Sequence, residues 1–291
     1  MPSADEIRDA QRAAWGGLSV GWEKWDSIIM DQLRPVSAAM IERLEIGEDQ
    51  QHLDVAAGTG EPGLTIAQLA PRGRVVLTDL APEMLEVAAR RAALHGVDNL
   101  ETQVCSADDL PFGEATFDSV SVRFGYMFFP DLAKATAEFA RVLRPGGRLC
   151  SSVWIKPEEN LWTTIAMQAI AAETELAPSN PDAPNMYRCA TPGQLTALYE
   201  SAGLQDVAEW DVRVELVTRS PEEYWDMISE HVSLAVAALQ RVDEPARQRI
   251  RANAVANVSA FEQDGEVRVP GAARCIVGTK PPATGSQATV E

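Results

Sequence analysis

Three acidic residues stand where short β-rich runs end: Asp54 in QHLDVA, Asp79 in RVVLTDL and Asp108 in CSADDLPF. After the first run comes a bend of small residues, Ala56-Ala57-Gly58-Thr59-Gly60. Glycines in such a bend let a ligand approach the backbone and leave N–H groups free for an anion. A carboxylate ending the second strand can accept hydrogen bonds from a ribose diol. One that follows the third can accept from an exocyclic amine. Three such tips at one sheet edge suit a nucleoside. The bend alone is a weak signal, because dinucleotide-binding folds also place one after the first strand, while the phosphate-cradling pattern GxxxxGK[ST] does not occur.

The elements that must carry these residues follow from the hydropathy pattern. From residue 51 onward, short β-rich runs alternate with helical stretches: RVVLTDL precedes APEMLEVAARRAALHG, and FDSVSVRF precedes DLAKATAEFARVL, the turn RPGG and the strand RLCSSVWI. Parallel neighbours need crossover connections, so this alternation predicts a doubly wound, mainly parallel sheet in an α/β fold. Ahead of it, residues 5–46 read as amphipathic helix interrupted at Gly16-Gly17, Gly21 and Pro35. Beyond it, helices are expected over 161–177, 191–203, 221–240 and 244–262, strands in VAEWDVRVEL and VRVPGAARCIVG, a proline-rich loop over 178–190, and a disordered tail over 281–291.

Composition narrows the function classes. Among 291 residues, 25 Lys and Arg against 43 Asp and Glu give a net charge of −18, which repels phosphate backbones and anionic lipid, so no nucleic-acid partner is expected. The four cysteines are scattered and the three histidines share no metal-ligand spacing, so neither a disulfide framework nor a metal site is expected. With no apolar run long enough to span a bilayer and an acidic start, a cytoplasmic location is expected.

Taken in order, LDVAAGTG, LTDLAPEML, SADDLPF, FDSVSVRFG and ARVLRPGGRL resemble the motifs of class I S-adenosylmethionine (SAM)-dependent methyltransferases, nearest the ubiquinone/menaquinone C-methyltransferase-like branch. The resemblance covers residues 53–149 and implies a Rossmann-like seven-stranded sheet with SAM as cofactor. It divides the chain into an N-terminal helical lid (1–46), a SAM-binding core (47–155), remaining strands with substrate-cap insertions (156–280) and the tail. By the same resemblance Asp54, Ala56, Gly58 and Gly60 cradle the methionine part, Asp79 holds the ribose, and Leu80 and Met84 flank the adenine. Ala107 and Asp108 then meet its amino edge, and Arg123 and Phe124 lie beside the sulfonium. Where that branch carries an Arg-Asn pair near the acceptor ring, this chain has Met127 and Phe128, which favours a more apolar acceptor.

Outside those motifs, Trp22, Trp25, Trp162 and Trp225, with Met127 and Phe128, are expected to line an apolar acceptor pocket, although tryptophans also serve as packing anchors. His231, in register with Tyr224 and Ile228 on one helix face, and Tyr126 are the candidate catalytic bases; a histidine on such a face is also commonly structural. The expected activity is methyl transfer to a small, largely apolar acceptor such as a polyketide, terpenoid or quinone-like molecule. An NAD-dependent oxidoreductase, a SAM-holding cyclase and a binding protein are the competing readings. The aromatic N-terminal helices also raise the expectation of a homodimer.

Overall fold

A computed structural model describes residues 3–174 and 183–282. Strands β1 (Gln51–Val55), β2 (Arg74–Asp79), β3 (Leu100–Val104), β4 (Phe117–Arg123) and β5 (Leu143–Trp154) pair in parallel, and β6 (Gln205–Thr218), β7 (Glu262–Gln263) and β8 (Glu266–Thr279) complete the sheet. Its order is β3-β2-β1-β4-β5-β8-β6, with the two-residue β7 beside β8 and with β8 antiparallel to both neighbours. The expected mainly parallel α/β sheet is thus present, with one short strand more than the seven expected. Between β1 and β4 the chain reverses its direction of winding, and in such sheets the crevice at the carboxyl ends of those strands is where ligands bind. Strand β5 differs from expectation: it begins before the RPGG segment and runs through it, with Gly146 at φ 81°.

Helices α3 (Gly63–Leu69), α4 (Pro82–Leu94) and α5 (Leu132–Val142) cross between the parallel strands. The remaining helices are α6 (Leu161–Ala171), α7 (Gln194–Ser201), α8 (Pro221–His231), α9 (Ser233–Leu239) and α10 (Glu244–Val258). Of the loop expected over 178–190, residues 183–190 run in turns, while 178–182 lie outside the described residues, as do 283–291 of the expected tail.

The N-terminal stretch forms α1 (Ala4–Lys24) and α2 (Asp26–Leu44), separated only at Trp25. Ser3 caps α1 reciprocally with Glu6, satisfying two N–H groups that a helix start leaves open. The expected glycine breaks are absent. A Cβ on Gly21 would lie 2.2 Å from the carbonyl oxygen of Glu230 on α8, and one on Gly16 would lie 2.7 Å from the Glu83 carboxylate on α4. Those glycines therefore serve close approach between helices, not chain reversal. Pro35 sits inside α2 without ending it. Leu33, Val36, Met40 and Leu44 recur on one face of α2 and are buried against the sheet. Each contributes about 1.5–3 kcal/mol by leaving water, which fixes the helix that roofs the β4 tip. Among the described residues no helix is long and apolar enough to cross a membrane.

Candidate functional site

The bend after β1 is held open from behind. Asp54 is sealed from solvent, and its two oxygens accept from the Gly63 amide (3.0 Å) and the Ser121 hydroxyl (2.6 Å). Burial raises its pKa to about 7, against the opposing effect of the Ser121 bond. Gly63 is required here because a Cβ would meet Leu77 at 2.2 Å and Asp54 at 3.0 Å. Asp54 thus ties β1, β4 and the start of α3 together instead of facing the crevice, and it shapes the cradle expected of it from below. Within the bend Ala56 and Gly58 both hold φ 53°, and a Cβ at Gly58 would meet nothing within 4 Å, so this glycine faces open space.

Asp79 pins the front of the bend. Its Oδ2 accepts from the Gly58 amide and its Oδ1 from the Ala81 amide, both at 2.9 Å. Each oxygen keeps a further lone pair for a ligand hydroxyl. Burial is the leading influence on its pKa and raises it. Leu80 is half-buried beside it, whereas Met84 is buried under Leu18 and Trp15 of α1. At the third tip, Ala107 and Asp108 are buried, and Asp108 accepts from Ser106 Oγ (2.5 Å) and from Arg8 Nη1 of α1 (2.8 Å). Arg12 donates to the Leu80 carbonyl one turn further along α1. The N-terminal helix is therefore latched across the ends of β2 and β3 by two arginines that the sequence did not single out.

On the opposite side, Arg123 and Phe124 leave β4, with Phe124 in the left-handed region at φ 59°. A non-glycine residue there is strained, and such strain clusters at functional sites. The Arg123 guanidinium is half-buried and, among the described residues, finds only Ser37 Oγ (3.1 Å) and the Met30 sulfur (3.7 and 3.8 Å). Among the described residues no carboxylate forms an ion pair with it, although Glu61, Asp54 and Asp26 act on it from farther off; burial, the leading cause, lowers its pKa. Asp26 Oδ1 stands 3.2 Å from Arg91 without hydrogen-bond alignment; among the described residues it is one of several sealed oxygens and nitrogens without a hydrogen-bond partner, together with Thr59 Oγ1 and Trp22 Nε1. Arg91 itself holds the Thr59 carbonyl at 2.7 Å. Buried polar groups left without hydrogen bonds are costly.

A run of aromatic contacts forms a wall beside these corners. Phe124 stacks on Trp154 (4.2 Å between centroids), Trp154 lies on Trp162 (4.9 Å), and Trp162 stacks at 6.4 Å on His231. His231 meets the edge of Trp22 (5.9 Å), Trp22 meets Trp15 (6.2 Å), and Trp15 meets Phe128 (5.1 Å). The circuit begins and ends in one turn, since Phe124 and Phe128 flank Gly125 to Met127.

Several expected acceptor residues lie elsewhere. Met127 is buried in the core. Tyr126 is also buried; its hydroxyl bonds Thr136, and burial raises its pKa well above the ordinary phenol range, so it is no base for an acceptor. The 3-10 turn over Tyr126–Phe128 points it inward. Trp225 lines a cleft of about 350 Å³ with Val236, Leu239 and Arg247, between α8, α9 and α10 and away from the strand tips. Trp25 closes the seam of α1 and α8, its N–H donating to Glu230 at 2.7 Å. His231 does reach the aromatic circuit, but burial lowers its pKa to about 4, so at neutral pH it is an uncharged hydrogen-bonding group. Trp154 and Trp15 belong to the wall although only their residue type hinted at it.

Comparison with known proteins fits this arrangement. Residues 23–169, just over half of the chain, match the ubiE/COQ5 methyltransferase family. The chain belongs to that family. Its members are SAM-dependent methyltransferases, as the ordered motifs implied. A demethylmenaquinone methyltransferase of Thermus thermophilus is 46% identical over 99 residues, covering 33% of this chain and 44% of that protein. The ubiquinone/menaquinone biosynthesis C-methyltransferase UbiE of Hahella chejuensis is 42% identical over 107 residues, covering 36% and 43%. The matched stretch thus spans less than half the length of either relative. Among solved structures, the YcgJ protein of Bacillus subtilis shares the fold, with a TM-score of 0.54 at 22% identity over 84% of this chain and 97% of that one. Trp15, Trp22 and His231 all fall outside residues 23–169, so the family match does not extend to one side of the aromatic wall.

Proposed function

We propose that this protein transfers a methyl group from SAM to a small, largely apolar acceptor held inside the aromatic wall. The observation that carries this reading is the double pinning of Asp79 to Gly58 and Ala81, which aims a carboxylate with spare lone pairs at the crevice beside an unobstructed glycine. The unpaired groups fit the donor. SAM carries a carboxylate, an ammonium and a ribose diol; among the described residues Arg123 has no ion-pair partner, and Asp26 Oδ1, although 3.2 Å from Arg91, and Thr59 Oγ1 have no hydrogen-bond partner. In this reading Arg123 takes the carboxylate, Asp26 the ammonium, Asp79 the diol, and Asp108 with Ala107 the amino edge of an adenine bordered by Leu80 and Met84.

When bound, SAM supplies an electrophilic methyl group on a positively charged sulfur. The protein's part is alignment and exclusion of water, which can account for much of the acceleration of an in-line displacement. The face of Phe124 turned away from Trp154 stabilises positive charge nearby, and no protein base is required by the arrangement. The names of the quinone-methylating relatives support a quinone-like ring as one member of the acceptor class. Phe128, packed edge-on against Trp15, supports the apolar character of the pocket. Incubation with SAM and a panel of aromatic and polycyclic acceptors, followed by detection of S-adenosylhomocysteine, tests the reading. Cofactor binding by calorimetry with product formation for at least one acceptor is expected. A protein that binds neither SAM nor S-adenosylhomocysteine overturns it, and one that binds SAM but converts no acceptor points to the cyclase or binding alternatives.

A further inference from the structure

His52 is a buried titratable side chain to which methyl transfer assigns no part. It alternates with Asp54 along β1, and the pairing of β1 with β4 sets Ser119 opposite His52 and Ser121 opposite Asp54, so the four side chains share one sheet face. All four are sealed from solvent. His52 Nδ1 lies 2.8 Å from Ser119 Oγ and Nε2 lies 2.9 Å from Ser121 Oγ, while the Ser121 hydroxyl reaches Asp54 Oδ1 at 2.6 Å. The Gly63 amide of α3 donates to the other Asp54 oxygen. Burial lowers the His52 pKa to about 3, so the ring is uncharged at neutral pH, with one nitrogen a donor and the other an acceptor. Around Asp54, Arg123 of β4 favours its charge and Glu61 of the bend opposes it. From β2, the Thr78 hydroxyl donates to the Asp54 carbonyl at 3.3 Å, and the strand ends at Asp79. Farther out, Asp26 of α2 and Arg91 of α4 act on Arg123.

The direction of this chain of bonds depends on the charge of Asp54. An ionised Asp54 only accepts, so Ser121 donates to it, Nε2–H donates to Ser121, and a bare Nδ1 accepts from Ser119. In a protonated Asp54 the Gly63 amide keeps one oxygen as acceptor and the proton lies on Oδ1. Ser121 then accepts that proton and donates to Nε2, while Nδ1–H donates to Ser119. The ring proton therefore changes nitrogen when Asp54 changes charge. The ionised arrangement partners every proton of the chain. The protonated one leaves the Ser119 hydroxyl proton without an acceptor among the described residues, so the chain favours the charged carboxylate. Burial opposes it and raises the Asp54 pKa to about 7. We propose that His52 is a positioning residue for the cofactor: its tautomer and the charge of Asp54 switch together beneath the bend, and SAM binds with release of the Asp54 proton to solvent, to a greater extent than S-adenosylhomocysteine. This rests on the methyltransferase reading for its ligands, but not for the switch itself. SAM carries a positive sulfonium that S-adenosylhomocysteine lacks, so an ionised Asp54 attracts it more strongly.

The test begins with nitrogen-15 NMR of His52 in the full wild-type chain, followed from about pH 5.5 to about pH 8.5, where the ring stays uncharged. The proton is expected on Nδ1 at the acid end and on Nε2 at the alkaline end, with the reversal centred at about 7. In Asp54→Asn the amide oxygen is held by Gly63 and the NH2 group donates to Ser121, so the proton should stay on Nδ1 throughout. Calorimetry at about pH 6.5 in two buffers of different ionisation enthalpy then counts protons. SAM should release about half a proton, as for a titration moved down by about one pH unit, and S-adenosylhomocysteine clearly less. The Asp54 midpoint, read from its carboxyl carbon-13 resonance, should rise by about half a pH unit or more in His52→Leu and return in His52→Gln, whose amide supplies both a donor and an acceptor. A merely structural histidine would show neither the reversal nor that rescue. One tautomer across the whole range, a ring proton on Nε2 in Asp54→Asn, equal proton release by the two ligands, or an Asp54 midpoint unmoved in His52→Leu overturns the proposal. Binding of neither ligand would instead overturn the cofactor reading and the ligand part with it, while the tautomer reversal is still decided on the free protein.

Discussion

Arg123 offers the sharpest separation between a structural and a ligand-binding role. Its guanidinium has five N–H donors, yet among the described residues it bonds only one hydroxyl and touches one thioether. Substitution Arg123→Met preserves length and the packing against Met30 while removing the charge. If the guanidinium receives the carboxylate of the methionine part, the loss is that of a hydrogen bond to a charged group, about 1.5–3 kcal/mol, or about ten- to a hundredfold in affinity. The informative assay compares S-adenosylhomocysteine with 5′-methylthioadenosine, which shares the nucleoside but lacks both carboxylate and ammonium. Calorimetry should show weakened binding of the first and unchanged binding of the second, with Arg123→Lys intermediate because an ammonium keeps the charge but not the planar fork. Equal losses for the two ligands would mean that Arg123 only supports the β4 tip, and no loss for either would refute the assignment.

Other perturbations probe the frame around the site. Asp79→Ala should weaken S-adenosylhomocysteine binding by more than about tenfold in calorimetry, since it removes the proposed ribose acceptor and both anchors of the bend. Gly21→Ala should lower the melting temperature, at a cost of about 1–3 kcal/mol from the clash with the Glu230 carbonyl. Gly17→Ala, with open space around it, should raise it through about 0.5–1 kcal/mol of helix propensity. In a pH series, Asp54 contributes stability fully below its unfolded value of 3.8 and loses it as pH rises to about 7. His52 and His231, lowered by burial from 6.5 to about 3 and about 4, contribute above 6.5 and lose stability as pH falls. The opposing slopes predict a flattened wild-type profile between pH 4 and 6.5, and Asp54→Asn should steepen it so that melting temperature rises with pH; identical profiles would contradict the value assigned to Asp54.

What the sequence revealed and what it hid divide along a physical line. The parallel strands and crossover helices from β1 to β5 were legible because strand-end carboxylates, glycine bends and alternating hydropathy are all local signals. The misread positions depend on what packs across from them. Gly21 reads as a helix break until Glu230 is seen against it, Tyr126 as an accessible phenol until the turn after β4 points it inward, and Trp225 as a pocket wall although it lies one position past Tyr224 on a different face of α8. Asp54 shows a subtler case: its residue type and place were apparent, but its bonds to Gly63 and Ser121 make it the keystone of the bend and not a contact in the crevice. Arg8 could not be found at all from spacing, since its partner Asp108 lies 100 residues away.

The most direct test of the whole assignment is a crystal structure with S-adenosylhomocysteine bound. The ribose diol is expected on Asp79, the amino edge of the adenine at Asp108, and the homocysteine carboxylate at Arg123. A nucleoside found instead in the cleft between α8, α9 and α10, or one seated at the strand tips without touching Asp79, would contradict it.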